Sequence, residues 1–359
     1  MIAHIKELSI DRHKWLDEET FKNGVVICQF VPGATAMQAA AYVGLRSGGI
    51  SGALSSFIGF GMPAFILMLI LSSLYARYHE VPRIISLFNG LQVVVVAIVA
   101  NATYSFGKST IKNFRDIILA IAASVLLWIG VSPFIVILSA AFAGIVFLNG
   151  KGNIPAPNVE RETDGHGVKQ LSVILLILLL GLLMLYLIDT KIFNLAVLMM
   201  RIDLFAFGGG FASIPLMLHE VVNVRGWMDN KTFMDGIALG QVTPGPIVIT
   251  STFVGYMLYG LWGSVAATIA IFTPSFLMVI AITPVFDRLK VSAFFSGATK
   301  GILASFVGLL FFVTVKFGLT VPWDIVRIVL VSVAFVALIR KVDILYVVLI
   351  TAVISAVVF

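Results

Sequence analysis

The motif Gly-Gln-Val-Thr-Pro-Gly-Pro at positions 240–246 combines residue types that can bind an anion through the backbone. Proline lacks an N–H group and clashes with the preceding helical turn, so these prolines must interrupt any helix that enters the motif. A helix that resumes after them presents free N–H groups and a partial positive charge, which bind anions. The predicted binding residues of this motif are Gln241, Thr243, Pro244, Gly245 and Pro246.

A related motif, Gln-Phe-Val-Pro-Gly at positions 29–33, occurs 212 residues earlier in the chain. It predicts a second helix break of the same kind, and a nearby threonine adds a hydroxyl donor. Ala34 stands where the later motif has its second proline, which weakens the equivalence of the two breaks. Two kinks that only serve helix packing are the alternative. The predicted binding residues of this motif are Gln29, Pro32, Gly33 and Thr35.

A run of three glycines between two phenylalanines, at positions 207–211, is a third candidate. Gly208, Gly209 and Gly210 predict either a close helix contact of the small-residue kind or a flexible break that exposes amides to the same anion. The sequence leaves both readings open.

Three charged residues lie within or beside apolar segments, where an ionisable side chain is a functional hypothesis. Asp203 is a candidate for a proton-coupling carboxylate. Lys300 lies inside a predicted span, although snorkelling to the interface is an alternative. Arg46 follows the first break and could face either a cavity or the lipid headgroups.

The composition of the chain indicates the kind of protein in which these motifs lie. The chain has 359 residues, of which 60% are hydrophobic and 12% charged, and its mean hydropathy is +1.06. A water-soluble core cannot bury that much apolar surface, and the apolar runs are helix-like in length, so we predict an all-α polytopic membrane protein. The net charge of +6 lies mainly in short loops, which indicates topology signals and no nucleic-acid partner. No cleavable signal peptide is visible at the N-terminus.

Several enzyme classes are excluded by the motifs that the sequence lacks. The five histidines form no metal-ligand cluster and no HExxH pair, and no glycine loop is followed by Lys and Ser or Thr. The single cysteine, Cys28, excludes an internal disulfide and a cysteine-rich metal site. We therefore expect no metal, no cofactor and no enzymatic activity.

The chain divides into two related halves. We predict a first half at 1–148, a polar linker at 149–170, and a second half at 171–359 with an extra leading helix. The offset of 212 between the halves becomes 211 further along, where it pairs Gly52 with Gly263 and Pro63 with Pro274. If the first copy begins one helix short and 171–188 is an extra helix between two even-numbered units, the halves form an inverted repeat with interrupted helices.

These motifs together resemble the chromate transporter (CHR) family in its long, two-domain form. In the second half the resemblance rests on Phe-Ala-Phe-Gly-Gly-Gly at 205–210, Trp-Met-Asp at 227–229 and Gln-Val-Thr-Pro-Gly-Pro at 241–246. In the first half it rests on Trp-Leu-Asp-Glu-Glu at 15–19, Gln-Phe-Val-Pro-Gly at 29–33 and Gly-Phe-Gly-Met-Pro at 59–63. The family's first half usually opens with a helix that ends in Phe-Gly-Gly, and this chain begins after that point.

The resemblance implies a secondary transporter that exports chromate, with sulfate as a competitor, across the bacterial cytoplasmic membrane. The expected partners are a small inorganic oxyanion and the lipid bilayer, and a homodimer is left open. An anion channel and a truncated, non-transporting membrane protein are the alternatives. The sequence leaves open the true oxyanion, the coupling ion, the direction of transport, the membrane orientation and the oligomeric state.

Overall fold

The computed structural model describes residues 1–147, 165–284, 286 and 292–358. Most of the predicted linker, 149–164, lies outside the described residues. The described part contains fourteen α-helices and no strand. The helices are α1 (Ile2–Lys6), α2 (Glu18–Phe30), α3 (Thr35–Tyr78), α4 (Pro82–Thr110), α5 (Phe114–Trp128), α6 (Pro133–Phe147), α7 (Gly165–Ile188), α8 (Thr190–Phe205), α9 (Ser213–Met217), α10 (Asn230–Val242), α11 (Thr250–Ile282), α12 (Ala293–Thr320), α13 (Ile325–Ile339) and α14 (Ile344–Val358).

Four of the described helical segments are long and apolar enough to cross a membrane: Thr35–Tyr78, Pro82–Thr110, Ile247–Ile282 and Phe294–Thr320. Shorter apolar helices surround them, and α7 and α13 expose large aliphatic side chains along most of their length. Only a lipid environment or another apolar surface accommodates such faces. The chain is therefore an all-α, multi-pass membrane protein, as predicted.

The first predicted interruption is a sharp reversal of the chain. In a straight helix, residues 24 and 42 would lie about 27 Å apart. In the structure, Gly24 packs directly on the ring of Tyr42, and a Cβ at Gly24 would overlap that ring. Helix α2 and the first part of α3 therefore form an antiparallel pair, which we call the first hairpin (18–47), and its turn at 31–34 is the first tip.

The second interruption has the same form. Gly236 packs against the ring of Phe253, and a Cβ at Gly240 would lie 3.1 Å from Thr250 Oγ1. Helix α10 and the start of α11 thus form the second hairpin (230–258), with its turn at 243–246 as the second tip. The sequence predicted both breaks at the right residues, but it gave no indication that the chain turns back at each.

Each hairpin ends in another reversal, at Gly48 and Gly49 in α3 and at Tyr259 and Gly260 in α11. Gly49 has φ +62°, a conformation that side chains other than glycine's rarely allow. Beyond this turn Ser56 Oγ donates to Ala40 O over 2.8 Å, so the two parts of α3 run side by side. The long remainders of α3 and α11 then run through the apolar layer.

Apart from α7 and α8, which have no counterpart in the first half, the helices of the two halves match in order. Helix α2 plus 212 gives the bounds of α10 (18 + 212 = 230 and 30 + 212 = 242). Helices α5 and α6 plus 211 give the bounds of α13 and α14. This agreement supports the predicted duplication at the level of secondary structure.

The halves also exchange contacts. Helix α12 packs against α5 and α6 of the first half, and α4 packs against α13 and α14 of the second. Helices α4 and α12 meet at Thr103 and Thr314, whose hydroxyls are 3.1 Å apart and whose positions differ by 211. A contact between equivalent residues is what a two-fold axis between the halves would produce. The inverted repeat remains a prediction that these contacts favour.

Candidate functional site

The first tip is built on Pro32 and Gly33. Helix α2 ends at Phe30, and Gly33 adopts φ +113°, which only glycine tolerates well. The Gly33 amide donates to Ala206 O over 2.9 Å, and Gln38 Nε2 donates to Pro32 O over 2.5 Å. The first bond fixes the turn against the end of helix α8, and the second closes the turn within the first hairpin.

Asp203, on the last turn of α8, lies against this tip. Its carboxylate is fully buried, and Oδ2 accepts hydrogen bonds from Ser275 N at 2.8 Å and from Ser275 Oγ at 2.6 Å. A Cβ at Gly33 would lie 2.9 Å from Asp203 Oδ1 and would overlap the Ser275 hydroxyl. Asp203 Oδ1 itself has no hydrogen-bond partner. The first tip, α8 and α11 thus converge on one buried carboxylate.

The second tip is closed by local bonds. Thr243 Oγ1 donates to Gly240 O over 2.8 Å, and the Gly245 amide donates to Thr243 O over 2.9 Å. After Pro246 a short 3-10 turn, Ile247–Ile249, leads into α11. Gly245 packs against Ala64 of the first half, where a Cβ would lie 2.5 Å from the alanine methyl. Ala64 corresponds to Ser275 (64 + 211 = 275), so each tip packs on the same position of the other half.

Residues 206–210, which we call the glycine segment, lie between the two tips and contact both of them. Residues 206–209 are non-helical, with positive φ at Gly208 and Gly209, and Gly210 begins a 3-10 turn. A Cβ at Gly209 would lie 3.3 Å from Thr35 Oγ1 at the first tip, and a Cβ at Gly210 would lie 3.1 Å from Ile247 and Val248 at the second. Of the two readings that the sequence left open, the structure has the break, and its glycines also permit close contacts.

The predicted binding residues divide into two groups. Around the tips and the glycine segment lie Pro32, Gly33, Thr35, Gly208, Gly209, Gly210, Gln241, Thr243, Pro244, Gly245 and Pro246. Gln29 is exposed on α2, unlike Gln241, whose Nε2 is buried and has no partner. Lys300 is exposed on α12, and Arg46 is exposed at the far end of the first hairpin, where its Nε donates to Tyr42 OH over 3.2 Å. The structure places neither of these two cations at a tip.

Some buried polar residues at the tips were missed by sequence reasoning. Gln38, Ser251 and Ser275 lie inside apolar runs, where a single uncharged polar residue gives no signal of its own. Ser251 Oγ and Gln38 Oε1 are buried without a partner. The one available hint was Ser275, because it follows Pro274, the counterpart of Pro63.

A second buried carboxylate, Asp235, was also missed. Its Oδ2 accepts from Tyr75 OH and its Oδ1 from Gln92 Nε2, each over 2.9 Å. Both oxygens are therefore satisfied, in contrast to Asp203. Asp235 joins the second hairpin to α3 and α4, which gives it a structural role.

A cavity of about 680 Å³ opens beside the second hairpin. It lies between the end of α12, the residues after α9 and the turn between α5 and α6. Two basic side chains, His219 and Lys316, line it, and Lys316 Nζ donates to Asn223 Oδ1. In the described part of the chain, no three His, Cys, Asp or Glu side chains are grouped as metal ligands.

The sequence model of the family described as "Chromate transporter" matches residues 1–145 and 193–356. The chain belongs to the chromate transporter family. The two matched regions correspond to the two structural halves, and the gap between them contains the predicted linker and α7. No solved structure matches the chain.

Named relatives agree with the family. The chain is 44% identical over 357 residues to an uncharacterized transporter of Methanocaldococcus jannaschii, covering 99% of this chain and 88% of the relative. It is 24% identical to a chromate transport protein of Cupriavidus metallidurans, covering 90% and 80% of the two chains, and 28% identical to one of Pseudomonas aeruginosa, covering 82% and 71%. These relatives are named as transporters, which are not enzymes.

Proposed function

We propose that this chain is a secondary transporter that exports chromate or a similar tetrahedral oxyanion across the cytoplasmic membrane. The observation that carries the proposal is the convergence of two Pro-Gly tips on one glycine segment inside an apolar fold. The names of the relatives in Cupriavidus metallidurans and Pseudomonas aeruginosa supply the substrate.

The oxyanion binds at the second tip. Two polar atoms close to this tip along the chain have no partner: Gln241 Nε2 is a hydrogen-bond donor, and the Ser251 hydroxyl can donate as well as accept. The helix that begins at Gly210 and the helical turns that begin at Ile247 both direct their N-terminal ends toward this region. Free amides and the positive end of a helix dipole favour an anion.

A dianion needs several such donors, because each hydrogen bond to a charged group contributes only about 1.5–3 kcal/mol. Two side-chain donors and several amides at helix starts meet that need without a fixed cation. The same donors accept sulfate, since its four oxygens have the same tetrahedral arrangement as those of chromate. We therefore expect sulfate to compete with chromate.

The membrane potential supplies the driving force. With the inside negative, each negative charge that leaves gains about 2.3 kcal/mol per 100 mV, so a dianion gains about twice that. Rocking of one half on the other about the contact between α4 and α12 would alternate access to the tips. The cavity beside Lys316 and His219 gives a basic approach to the second hairpin.

Chromate flux into proteoliposomes of the purified chain, with the potential clamped by potassium and valinomycin, tests this function. A carrier takes up labelled chromate, exchanges it for internal chromate, and is inhibited by sulfate. A current that saturates only at high anion concentration, without exchange, would identify a channel. Absence of any chromate-dependent flux in either direction would refute transport.

A further inference from the structure

Two buried oxygen atoms beside the first tip have no hydrogen-bond partner. One is Asp203 Oδ1 and the other is Gln38 Oε1, and both side chains are fully buried. Exchanging the nitrogen and oxygen of the Gln38 amide would break a hydrogen bond, because Nε2 already donates to Pro32 O. Both free atoms can only accept hydrogen bonds, whereas Gln241 Nε2 and the Ser251 hydroxyl beside the second tip can donate them.

The Asp203 carboxylate also has no ion pair with any residue that the structure describes. Arg201, two residues earlier, faces away: its guanidinium carbon is 3.8 Å from the centre of the Phe134 ring, and NH1 is 3.9 Å from Glu220 Oε1. Glu220 is in turn paired with Arg225.

The elements around Asp203 offer it no other charge. Helix α11 contributes Ser275, and the first tip contributes Gly33. Lys300 on α12 is exposed. The described first hairpin, residues 210–224 and α11 contain further ionisable side chains, and none of them forms an ion pair with Asp203. They are Glu18, Glu19, Lys22, Cys28, Tyr42, Arg46, His219, Tyr256 and Tyr259.

A buried carboxylate without a counter-charge is costly, so its charge must be neutralised. The backbone also makes the first tip more favourable for a positive charge. Helix α2 ends at Phe30 and α8 ends at Phe205, so two carbonyl ends with partial negative charge lie at the first tip, against the single positive amide end of α3 at Thr35. Oxygen atoms of this kind, at the broken ends of membrane helices, suit a proton or Na⁺.

We propose that the first tip binds one monovalent cation, a proton or Na⁺, on the Asp203 carboxylate beside Gln38, and that this cation is required for tight oxyanion binding at the second tip. The proposal rests on the proposed function. The glycine segment, only a few residues long, contacts both tips, so a bare carboxylate at one would repel a dianion at the other. The neutralised carboxylate removes that repulsion.

The test is chromate binding to the purified full-length chain, measured by equilibrium dialysis. One arm varies Na⁺ against choline at fixed pH, and the other varies pH without Na⁺. In the pH arm each affinity is expressed per concentration of the chromate dianion, which removes the effect of chromate's own protonation. We expect wild-type affinity to rise about tenfold or more in one arm, which identifies the cation.

Asp203→Asn carries a permanently neutral side chain, so it should bind chromate tightly with less than about a twofold response in either arm. Asp235→Asn is the matched control, because that carboxylate is buried but fully hydrogen-bonded, and it should keep the wild-type response. Equal cation dependence in wild type and Asp203→Asn, or its loss in Asp235→Asn, would overturn the proposal. Chromate binding that never responds to either cation would also overturn it but leave the proposed function intact, whereas no chromate binding at all would count against both.

Ser275→Ala provides a second variant if Asp203→Asn does not fold. It retains the carboxylate but removes the hydroxyl donor from Oδ2, which makes the carboxylate a better cation ligand. The midpoint should therefore move to lower Na⁺ or to higher pH, by about threefold or more in concentration. An unchanged midpoint would contradict a cation at Asp203.

Discussion

The two tips occupy equivalent places in the two halves, and they differ in what they leave unsatisfied. Each is a Pro-Gly turn whose glycine packs on the same position of the opposite half, Ser275 for Gly33 and Ala64 for Gly245. The first tip retains free oxygen acceptors, and the second retains an amide and a hydroxyl that can donate hydrogen bonds. The two turns are thus similar in shape, and a few differing residues give them different chemical character.

Single positions account for this divergence. Ser251 of the second hairpin corresponds to Ala39 or Ala40 of the first, depending on where the offset changes from 212 to 211. Asp235 corresponds to Asn23, and its partners Tyr75 and Gln92 correspond to Phe286 and Leu303. In our proposal, the second of these two equivalent turns therefore binds the oxyanion, and the first binds the monovalent cation that neutralises Asp203.

The largest effect on transport is expected from a substitution that changes the backbone of the first tip. Gly33→Ala places a methyl group on the Ser275 hydroxyl and forces a left-handed backbone, which alone costs roughly 1–2 kcal/mol. We expect chromate flux in proteoliposomes to fall by about tenfold or more.

Gly59→Ala is the control for this variant, since Gly59 lies in α3 with open space around it and should retain flux. Equal flux in both variants would show that the first tip needs no glycine.

The next largest effect, on chromate affinity, is expected to differ between two glutamines at equivalent positions of the halves. Gln241→Ala removes a buried donor from the second tip, so the apparent chromate constant should rise about tenfold, as expected for the loss of a bond to a charged ligand. Gln29→Ala removes an exposed side chain and should change the constant by less than about twofold. Concentration-dependent uptake measures both, and a reversed order would assign the oxyanion to the first tip.

A smaller effect is expected on stability alone. Tyr75→Phe leaves Asp235 Oδ2 without its donor, which should cost about 1–3 kcal/mol and lower the midpoint of thermal unfolding. Tyr104→Phe, at an exposed tyrosine, should leave the midpoint unchanged. If Tyr75→Phe raised the chromate constant while the midpoint stayed constant, Asp235 would belong to the binding site.

The smallest effect concerns the contact between the halves. In a double-mutant cycle of Thr103→Val and Thr314→Val, the coupling energy should be about 0.5 kcal/mol, the low end for one hydrogen bond, because each hydroxyl also donates to a backbone oxygen of its own helix. The two single variants should lower the unfolding midpoint equally if the residues are related by a two-fold axis. Unequal single effects with no coupling would contradict that relation.

The sequence predicted the membrane class, the family and the position of both breaks, because proline, glycine and hydrophobic runs act locally. The duplication stays a prediction that the matching helix bounds favour. It did not predict that each break is the tip of a hairpin. The reversal depends on contacts such as Gly24 with Tyr42, which lie far apart in the chain. Nor did it single out Gln38 or Ser251, because the significance of a polar atom in a membrane helix depends on whether the fold gives it a partner.

Anomalous diffraction at the chromium edge, from crystals of this chain grown with chromate, tests the central claim most directly. We predict a chromium peak at the second tip, next to Gln241 Nε2, Ser251 Oγ and the amides that follow Pro246, with no chromium at Asp203. Chromium bound only in the cavity beside Lys316, or at the first tip, would contradict the account.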